Sequence, residues 1–308
     1  MIAVHQAVLL EETVDLLIND LYGIYVDCTL GGGGHLRRLA GKLESDACLI
    51  GIDKDQNILE RTRQTLELPN IRLVHGDFRN LNEILDSINI DKVNGIMLDL
   101  GVSSFQLDEP ERGFSFHEDA VLDMRMDRNQ SLTARQIVNE YDENELAGIL
   151  FRYGEEKYAR SISRAIVNRR RQAAIETTAE LTEIIRAAVP ASYRREKHPA
   201  RKTFQALRIE VNGELDALEE VLPQAVERLL PEGRLCVITF HSLEDRIVKR
   251  FMQEKARECI CPPGLPVCVC DHHAELEILT RRPIIASEEE CEANSRARSA
   301  KLRAARKL

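Results

Sequence analysis

The sequence predicts an α/β, Rossmann-like fold that is interrupted by an inserted all-helical domain. Up to Asp99, short apolar runs alternate with helical patterns, which is typical of consecutive βαβ units and a parallel sheet. From Ser131 to about Pro190 the pattern is purely helical. A helical stretch, Phe204–Leu230, then leads through a Pro-Glu-Gly turn into a further buried strand, Arg234–Phe240. We therefore expect one domain whose chain is interrupted by a second.

The predicted strands are short apolar runs, and the stretches between them repeat apolar residues at helical spacing. Two short runs near the end of the sequence are candidates for a final strand pair. In chain order the elements are strand Ile24–Thr29, helix Leu36–Leu43, strand Cys48–Asp53, helix Gln56–Leu66, strand Ile71–His75, helix Leu81–Ile88, strand Gly95–Asp99, and the final pair Leu276–Thr280 and Pro283–Ala286.

The middle of the chain has a different character. Residues 100–127 show no clean period, and their Gly, Ser, Pro and paired acids indicate a long ordered loop, which in a compact domain is usually functional. Beyond the loop, capping boxes open three helices, at Thr133 with Gln136, Asp142 with Glu145, and Thr177 with Glu180. We therefore divide the chain into a first part of the α/β domain at 1–105, an inserted helical domain at 106–203, and a second part at 204–308.

Four consecutive glycines, Gly31–Gly34, follow the first predicted strand and precede a helix. Glycine has no Cβ, so such a loop turns sharply and approaches a bound molecule closely. Asp53 ends the next strand, where an acid accepts both hydroxyl hydrogens of a ribose. No frame fits the G-x-G-x-x-G fingerprint of dinucleotide sites, but S-adenosylmethionine has a ribose and an adenine and no phosphate to cradle. The alternative interpretation is a tight turn without a ligand.

Several polar positions lie at or just beyond strand ends: Asp27 with the glycine loop, Asp53, and Gly76–Phe78. A parallel sheet brings these ends to one edge, and open α/β sheets bind their ligands there. Asp77 or Phe78 would lie beside an adenine ring, although Phe78 would serve equally well in core packing.

Methyl transfer from S-adenosylmethionine requires a protein to bind the donor, align an attacking lone pair and remove a proton. Asp99 ends the fourth predicted strand beside the glycine loop and is the candidate to face the methyl acceptor. If the acceptor is an exocyclic amine, a carboxylate can hold its N–H while the nitrogen becomes tetrahedral. The alternatives for Asp99 are a cap or turn, or a role in ordering the cofactor alone.

Composition limits the class of protein. The chain has 308 residues and 44% hydrophobic content, enough for a substantial core. No stretch approaches the ~18 apolar residues of a membrane span. The first residues lack the basic start of a signal peptide and include early acids. We therefore expect a cytoplasmic protein without membrane contact, whose eight cysteines are reduced.

The net charge of −9 argues against a protein that simply coats nucleic acid. Basic residues are nevertheless concentrated in a few segments, which fits a polyanion bound locally. The preferred RNA contact is Tyr193–Lys202, at the predicted return from the insertion. Its cations are Arg194, Arg195, Arg201 and Lys202. Asn294–Leu308, with six Lys or Arg and no acid, is expected to be a basic tail and a second contact. Solvated helix faces are the ordinary alternative for such segments.

Seven of the eight cysteines fall into two groups. Cys28, Cys48 and Cys236 lie on predicted strands and are expected to be small core residues. Four further thiols lie within twelve residues, a number that could bind zinc tetrahedrally. They form the pairs Cys259-x-Cys261 and Cys268-x-Cys270, followed by His272 and His273. The spacing is C-x-C and not the usual C-x-x-C, so a reduced surface loop is the alternative, and we assign no metal ligand from the sequence.

An ordered set of motifs runs from His5 to Arg246 and beyond. These are HQAVLLEE, VDCTLGGGGH, GIDKD, HGDF, MLDLGVSSFQLDEPERGFSF, LDMRMD, FQALRIEVNGEL and ITFHSLEDR. The set resembles the ribosomal small-subunit RNA (cytosine-N4)-methyltransferase H family, also called MraW. The resemblance implies a class I methyltransferase fold with a helical insertion that recognises the substrate. It also implies that S-adenosyl-L-methionine is the cofactor and that the substrate is the N4 amine of a cytidine in the decoding centre of 16S rRNA.

Matching to the family also implies the site residues. Asp99 would be the catalytic residue as well as a cofactor contact. The implied cofactor contacts are Gly33, Gly34, His35, Asp53, Phe78, Asp99 and Gln106. The partner would be 16S rRNA or the small ribosomal subunit, and no obligate protein partner is inferred.

The chain differs from the wider class of amino-methyltransferases in the residues that would hold the target base. Amino-methyltransferases of DNA bases usually carry (Asp/Asn/Ser)-Pro-Pro-(Tyr/Phe) after the fourth strand, where this chain has Asp99-Leu100-Gly101-Val102. The aromatic residue of that motif is missing, so Phe105, Phe114 and Phe116 are the candidates to stack on the cytosine. The chain has no Pro-Cys dipeptide, which disfavours carbon-5 methylation through a thiol adduct. Two other classes stay open: a class I methyltransferase acting on DNA, protein or a small molecule, and a catalytically silent RNA-binding assembly protein.

Overall fold

The structure is a computed structural model that describes residues 7–66, 70–196, 198–261, 269–270 and 272–308, without the side chains of Ser104 and Glu196. The chain forms two compact units. The first combines Met1–Gly101 with Asp216–Leu308, and the second is Val102–Leu215. The chain thus returns to the first unit later than the predicted boundary at 203/204. Among the described residues, no helix is both long enough and apolar enough to cross a membrane.

The first unit contains a seven-stranded sheet. Its strands are β1 Ile24–Asp27, β2 Cys48–Asp53, β3 Ile71–His75, β4 Val93–Asp99, β5 Leu229–Thr239, β6 Leu276–Ile278 and β7 Lys301–Lys307. Their order across the sheet is β3-β2-β1-β4-β5-β7-β6. β1 to β5 pair in parallel, and β7 is antiparallel to both β5 and β6. The predicted α/β class and parallel sheet are therefore confirmed, with β2 and β3 at their predicted bounds.

Helices connect and cover the strands. In chain order they are α1 Leu10–Leu17, α2 Gly34–Ala40, α3 Gln56–Thr65, α4 Leu81–Ser87, α5 Ser104–Asp108, α6 Ala134–Glu140, α7 Glu143–Gly154, α8 Ala159–Arg170, α9 Thr178–Ala188, α10 Ala191–Glu196, α11 Ala200–Asn212, α12 Glu214–Arg228, α13 Ser242–Lys255 and α14 Glu288–Ala293. The predicted helix Phe204–Leu230 is wrong in its extent. The helix is interrupted at Gly213, between α11 and α12, and β5 begins at Leu229.

Both faces of the sheet are buried, which explains why the strands read as continuous apolar runs. Side chains alternate between the two faces along each strand, as Tyr25 and Val26 do on β1. α4, α12 and α13 contribute to the core on the Val26 face, while α1, α2 and α3 contribute to the core on the Tyr25 face. The two cores fix the strand ends in place, and with them the loops at the carboxyl edge.

The predicted basic tail at Asn294–Leu308 is wrong, because residues 301–307 form β7 inside the sheet. Leu302, Ala304 and Ala305 are buried, and the basic side chains of the strand pair with acids of the same unit. The pairs are Arg303 and Lys301 with Asp245, Arg306 with Glu232 and Glu277, and Lys307 with Glu275. The predicted final strand Pro283–Ala286 is reduced to one bridge, Ile284 with Leu302.

The two interpretations of this segment differ in what truncation of Leu302 does. Leu302 is fully buried, whereas Leu308 is 51% exposed. We expect Leu302→Ala to lower the free energy of unfolding by about 3 kcal/mol through lost burial and a cavity. Leu308→Ala is the matched control and should change it by less than about 0.5 kcal/mol. Urea unfolding followed by circular dichroism measures the free energy of unfolding of both variants. Equal values for the two variants would support the interpretation of this segment as an exposed basic tail.

The regular elements described in the second unit, α5–α11, are helices around one apolar core. The three predicted capping boxes, which open α6, α7 and α9, are confirmed. The long loop before α6 is ordered around the buried Arg112, whose guanidinium donates to the carbonyls of Arg125 and Met126 at 2.8 and 3.0 Å. Asn212 of α11 accepts from Met126 N and donates to Met124 O, which ties α11 to this unit.

Candidate active site

The glycine loop joins β1 to α2 with two residues in the left-handed region, Gly31 at φ +50° and Gly33 at +70°. Gly33 caps α2, and its carbonyl accepts the first helical hydrogen bond, from Arg37 N at 2.9 Å. A Cβ at Gly33 would lie 3.1 Å from the side chains of both Leu66 and Thr62. Both the backbone angle and the space therefore require glycine at this position.

Asp53 fastens the loop to the end of β2. Its Oδ2 accepts from Gly31 N at 2.9 Å and its Oδ1 from Asp55 N at 2.8 Å, while the Thr62 hydroxyl donates to Gly31 O at 2.6 Å. An ionised carboxylate has about four acceptor positions. Two stay available after these contacts, which matches the two hydroxyl hydrogens of a ribose.

A short network ties the end of β1 to the end of β4. Asp27 is 1% exposed, and its Oδ1 accepts from Thr29 N at 3.0 Å and from the Thr29 hydroxyl at 3.4 Å. The hydroxyl oxygen in turn accepts from Asp99 N at 2.6 Å. The network fixes the backbone of Asp99 against the loop that follows β1.

The Asp99 carboxylate ends β4 largely buried, with 19% of the side chain exposed. Its Oδ2 lies 4.0 Å from His35 Nδ1, and its buried Oδ1 has no hydrogen-bond partner in the described part of the chain. Burial, and then the negative charges of Asp27 and Glu244, hold the pKa of Asp99 well above its usual range. A buried acceptor without a donor is costly, so this oxygen is suited to a donor brought by a ligand.

Glu244 is a member of this edge that sequence reasoning missed. It lies in the first turn of α13, is 2% exposed, and its Oε2 accepts from Phe240 N at 2.8 Å and His241 N at 3.2 Å. Its position follows from a capping box with His241, a residue that the usual Ser/Thr signature omits. Asp27, Asp53, Asp99 and Glu244 thus place four carboxyl groups at one edge of the sheet.

Burial also raises the pKa of Asp27 to about 7 and that of Asp53 to about 6. Both values exceed the ~4 of an unfolded chain, so between pH 4 and 7 the folded protein binds more protons than the unfolded one. The free energy of unfolding without cofactor should therefore fall as the pH rises from about 5 to about 8, by about 2–4 kcal/mol for Asp27 alone.

Urea unfolding at a series of pH values measures this change. Asp27→Asn keeps a carbonyl to accept from Thr29 but cannot ionise, so its profile should be flatter than that of the wild type. Profiles of equal slope would show that Asp27 does not titrate in this range.

The other predicted cofactor residues of the first unit lie around the same edge. Gly34 begins α2, where a Cβ would come within 2.9 Å of Ala7 Cβ, and the His35 ring is buried with Nε2 3.2 Å from Val8 O. Phe78 follows β3 in a 3₁₀ turn and packs partly buried against the core. Asp77 caps that turn by accepting from Arg79 N at 3.0 Å, which is a structural role for its side chain.

The remaining predictions fall in the second unit. Gln106 is buried and forms a capping box with Ser103, accepting from Ser103 N at 3.1 Å. Phe114 is a core residue here, 7% exposed, so it is not available to stack on a base. Phe116 stacks on His198 with ring centroids 4.4 Å apart, and Phe105 is partly buried in α5. Gln106 as a cofactor contact stays a prediction.

The strand order, with β7 antiparallel between β5 and β6, and the glycine loop followed by carboxylates at the strand ends define a class I methyltransferase fold. The predicted S-adenosyl-L-methionine cofactor suits this edge. The glycine loop, the two spare acceptor positions of Asp53 and the Asp99 oxygen that lacks a partner in the described part of the chain meet there.

The chain belongs to the MraW methylase family, which matches residues 2–308. A ribosomal RNA small subunit methyltransferase H from Clostridium botulinum (strain Kyoto / Type A2) is 53% identical over 305 residues, covering 99% of each chain. A protein of the same name from Brevibacillus brevis is 51% identical over 307 residues, covering 99% of this chain and 98% of its own. The family expected from the sequence motifs is therefore confirmed.

Proposed function

We propose that this protein transfers a methyl group from S-adenosyl-L-methionine to the N4 amine of a cytidine in the decoding centre of 16S rRNA, on the small ribosomal subunit in the cytoplasm. The similar proteins from C. botulinum and B. brevis, named ribosomal RNA small subunit methyltransferase H, support the substrate class. The buried Oδ1 of Asp99 at the end of β4, which has no hydrogen-bond partner among the described residues, is the observation on which the amine chemistry rests.

The cofactor would be held by residues of the glycine loop and of the strand ends. Asp53 would accept from the ribose hydroxyls, and Phe78 would lie against the adenine. The further contacts proposed are Gly33, Gly34, His35, Asp99 and Gln106. When bound, S-adenosylmethionine supplies a methyl group activated by its sulfonium, so the protein's own work is alignment and proton removal.

Asp99 is proposed to act on the acceptor amine. The lone pair of a cytosine amine is delocalised into the ring, which makes the nitrogen a poor nucleophile. A carboxylate that accepts one N–H hydrogen bond favours the tetrahedral nitrogen, and it can take the proton that the nitrogen loses once the new N–C bond has formed. The raised pKa of Asp99 favours that uptake.

The second unit is proposed to recognise the RNA, with Arg194, Arg195 and Arg201 as phosphate contacts. All three side chains are exposed, and none has an ion pair within 4.0 Å among the described residues. Lys202 differs from them, because its ammonium donates to Glu155 O at 2.7 Å. Exposed cations without an internal partner are the ones that can release counterions from RNA.

Replacing Arg194, Arg195 and Arg201 together by glutamine should weaken RNA binding and flatten its salt dependence. Each phosphate contact contributes about 0.7–0.9 to the slope of log K against log salt, so the slope should fall by about 2–3. Arg135→Gln is the matched control from the same unit, since Arg135 is already paired with Glu176 at 2.7 Å. Fluorescence anisotropy at several salt concentrations gives the slopes for the triple variant and for Arg135→Gln. If the slope of the triple variant equals that of the wild type, these three arginines do not bind RNA phosphates.

The function is tested by supplying labelled S-adenosylmethionine with 30S particles, naked 16S rRNA and DNA, followed by nucleoside analysis. We expect label in N4-methylcytidine from the 30S sample. Label in another nucleoside or in DNA would indicate a different methyltransferase. No label from a sample that binds the cofactor would indicate an RNA-binding assembly protein.

A further inference from the structure

The segment between α13 and β6 is a closed loop in the first unit. Its two ends meet where Glu275 N donates to Lys255 O at 2.8 Å and the Lys255 ammonium donates to the Glu275 carboxylate at 2.6 Å. The residues between 255 and 275 that the structure describes form no helix or strand. Described residues that lie outside any helix or strand need some other interaction to hold them in place.

Apolar packing supplies little of that interaction for the residues of the loop that the structure describes. None of the described residues between 256 and 274 is fully buried. The two large apolar side chains described there, Ile260 and Val269, are 55% and 73% exposed. Described residues with so little apolar burial need a cross-link to keep one conformation, which is the usual task of a structural metal in small, core-poor segments.

Three thiols of this loop lie close together. The Sγ atoms of Cys259, Cys261 and Cys270 all lie within 4.8 Å of one another, and those of Cys259 and Cys270 are 3.7 Å apart. A disulfide would require about 2.05 Å. Sulfurs bound to one tetrahedral zinc at about 2.3 Å are about 3.8 Å apart, which is close to the distance between Cys259 and Cys270. His272 and His273 do not belong to this group, and Cys268 lies outside the described residues.

Backbone amides hold two of the thiols in position. Cys261 N donates to Cys259 Sγ at 3.4 Å, and Val269 N donates to Cys261 Sγ at 3.5 Å. Both sulfurs thus accept a backbone N–H, which fixes where they lie. The contact from Val269 also brings the two Cys-x-Cys arms together, which is the arrangement that a single ion shared by both arms requires.

We propose that Cys259, Cys261 and Cys270 bind a structural zinc ion that pins the loop between α13 and β6. Three thiolates occupy three corners of a tetrahedron, and the fourth is taken by a donor outside this group. Zinc fits because thiolates favour soft ions and because its filled d shell accepts tetrahedral geometry without penalty. The proposal is independent of the methyl transfer proposed above, because it gives the three thiols no part in that reaction.

The test uses the full chain without a histidine tag, expressed with added zinc and purified without chelator. Elemental analysis should find about one zinc per chain. Cys259→Ser and Cys270→Ser should each lower it at least tenfold, whereas Cys291→Ser, a partly buried thiol elsewhere in the first unit, should leave it unchanged. Replacing zinc by cobalt in the wild type should give the charge-transfer absorption of thiolate ligands, which does not depend on how the variants fold.

Three results would overturn the proposal. The first is a folded wild-type protein that stays free of zinc after incubation with the ion. The second is iron in place of zinc. The third is a disulfide joining two of the three cysteines, found by mass spectrometry after alkylation without reductant.

Discussion

Asp99→Asn is expected to lower the rate of methyl transfer at saturating cofactor and 30S substrate by about 10²–10⁴-fold. Asparagine keeps the volume of the side chain and one carbonyl oxygen at the end of β4. It cannot take a proton, and its amide nitrogen is a donor where the acceptor amine also donates. Since burial raises the pKa of Asp99, the loss should be in proton removal and alignment of the nitrogen.

Asp46→Asn is the matched control, because Asp46 is an exposed aspartate of the same unit and should keep the wild-type rate. Calorimetry with S-adenosylmethionine separates the two roles considered for Asp99. A loss of turnover with a cofactor Kd changed by less than about tenfold supports action on the acceptor. Full turnover by Asp99→Asn, or a defect that disappears at saturating cofactor, would reduce Asp99 to a cofactor contact.

Asp53→Ala is expected to raise the Kd for S-adenosylmethionine by about 10²–10⁴-fold. Each hydrogen bond from a ribose hydroxyl to a buried carboxylate contributes about 1.5–3 kcal/mol, and two would be lost. Because Asp53 also accepts from Gly31 N at 2.9 Å, part of the effect could arise from a loosened glycine loop.

Thr62→Val separates these contributions, since it removes the hydroxyl that donates to Gly31 O at 2.6 Å and keeps the carboxylate. We expect Thr62→Val to raise the Kd by no more than about tenfold. Calorimetric titration of both variants and the wild type provides the comparison. Equal losses would mean that Asp53 acts through the loop, and normal uptake by Asp53→Ala would remove it from the cofactor site.

The strand ends and the glycine loop could be predicted because their signals are local. An apolar run that stops at Asp53, and a glycine loop entering a helix, specify backbone turns without reference to distant residues. Parallel pairing then placed Asp27, Asp53 and Asp99 at one edge. Their raised pKa values could not be read from the sequence, because they depend on burial and on one another.

Two features could not be predicted because their signals are not local: the strand β7, and the position at which the chain leaves the second unit. KLRAARK is polar by composition, and it becomes a strand by pairing with β5 and β6, while Asp245, which is far away in sequence, pairs with Arg303 and Lys301. α11 belongs to the second unit through Asn212, whose partners Met124 and Met126 lie in the long loop. Long-range contacts of this kind leave no periodic signal.

Glu244 and the three thiols show a third reason why a feature of the structure could not be predicted from the sequence. Glu244 follows a histidine cap, so a search for Ser or Thr before an acid passes over it. The Cys-x-Cys pairs were visible, but their spacing alone did not distinguish a metal site from a reduced loop. The 3.7 Å between Cys259 and Cys270 sulfurs is the observation that favours a metal site.

The place of β7 in the sheet has a consequence for synthesis of the protein. β5 leaves the ribosome well before residues 301–307, and until they arrive its outer backbone N–H and C=O groups lack a partner. A nascent chain at that stage presents an open edge that a second nascent chain can pair with. Fragments that stop before Lys301 should therefore accumulate as aggregates, even though the methyl-donor edge lies on strands made earlier.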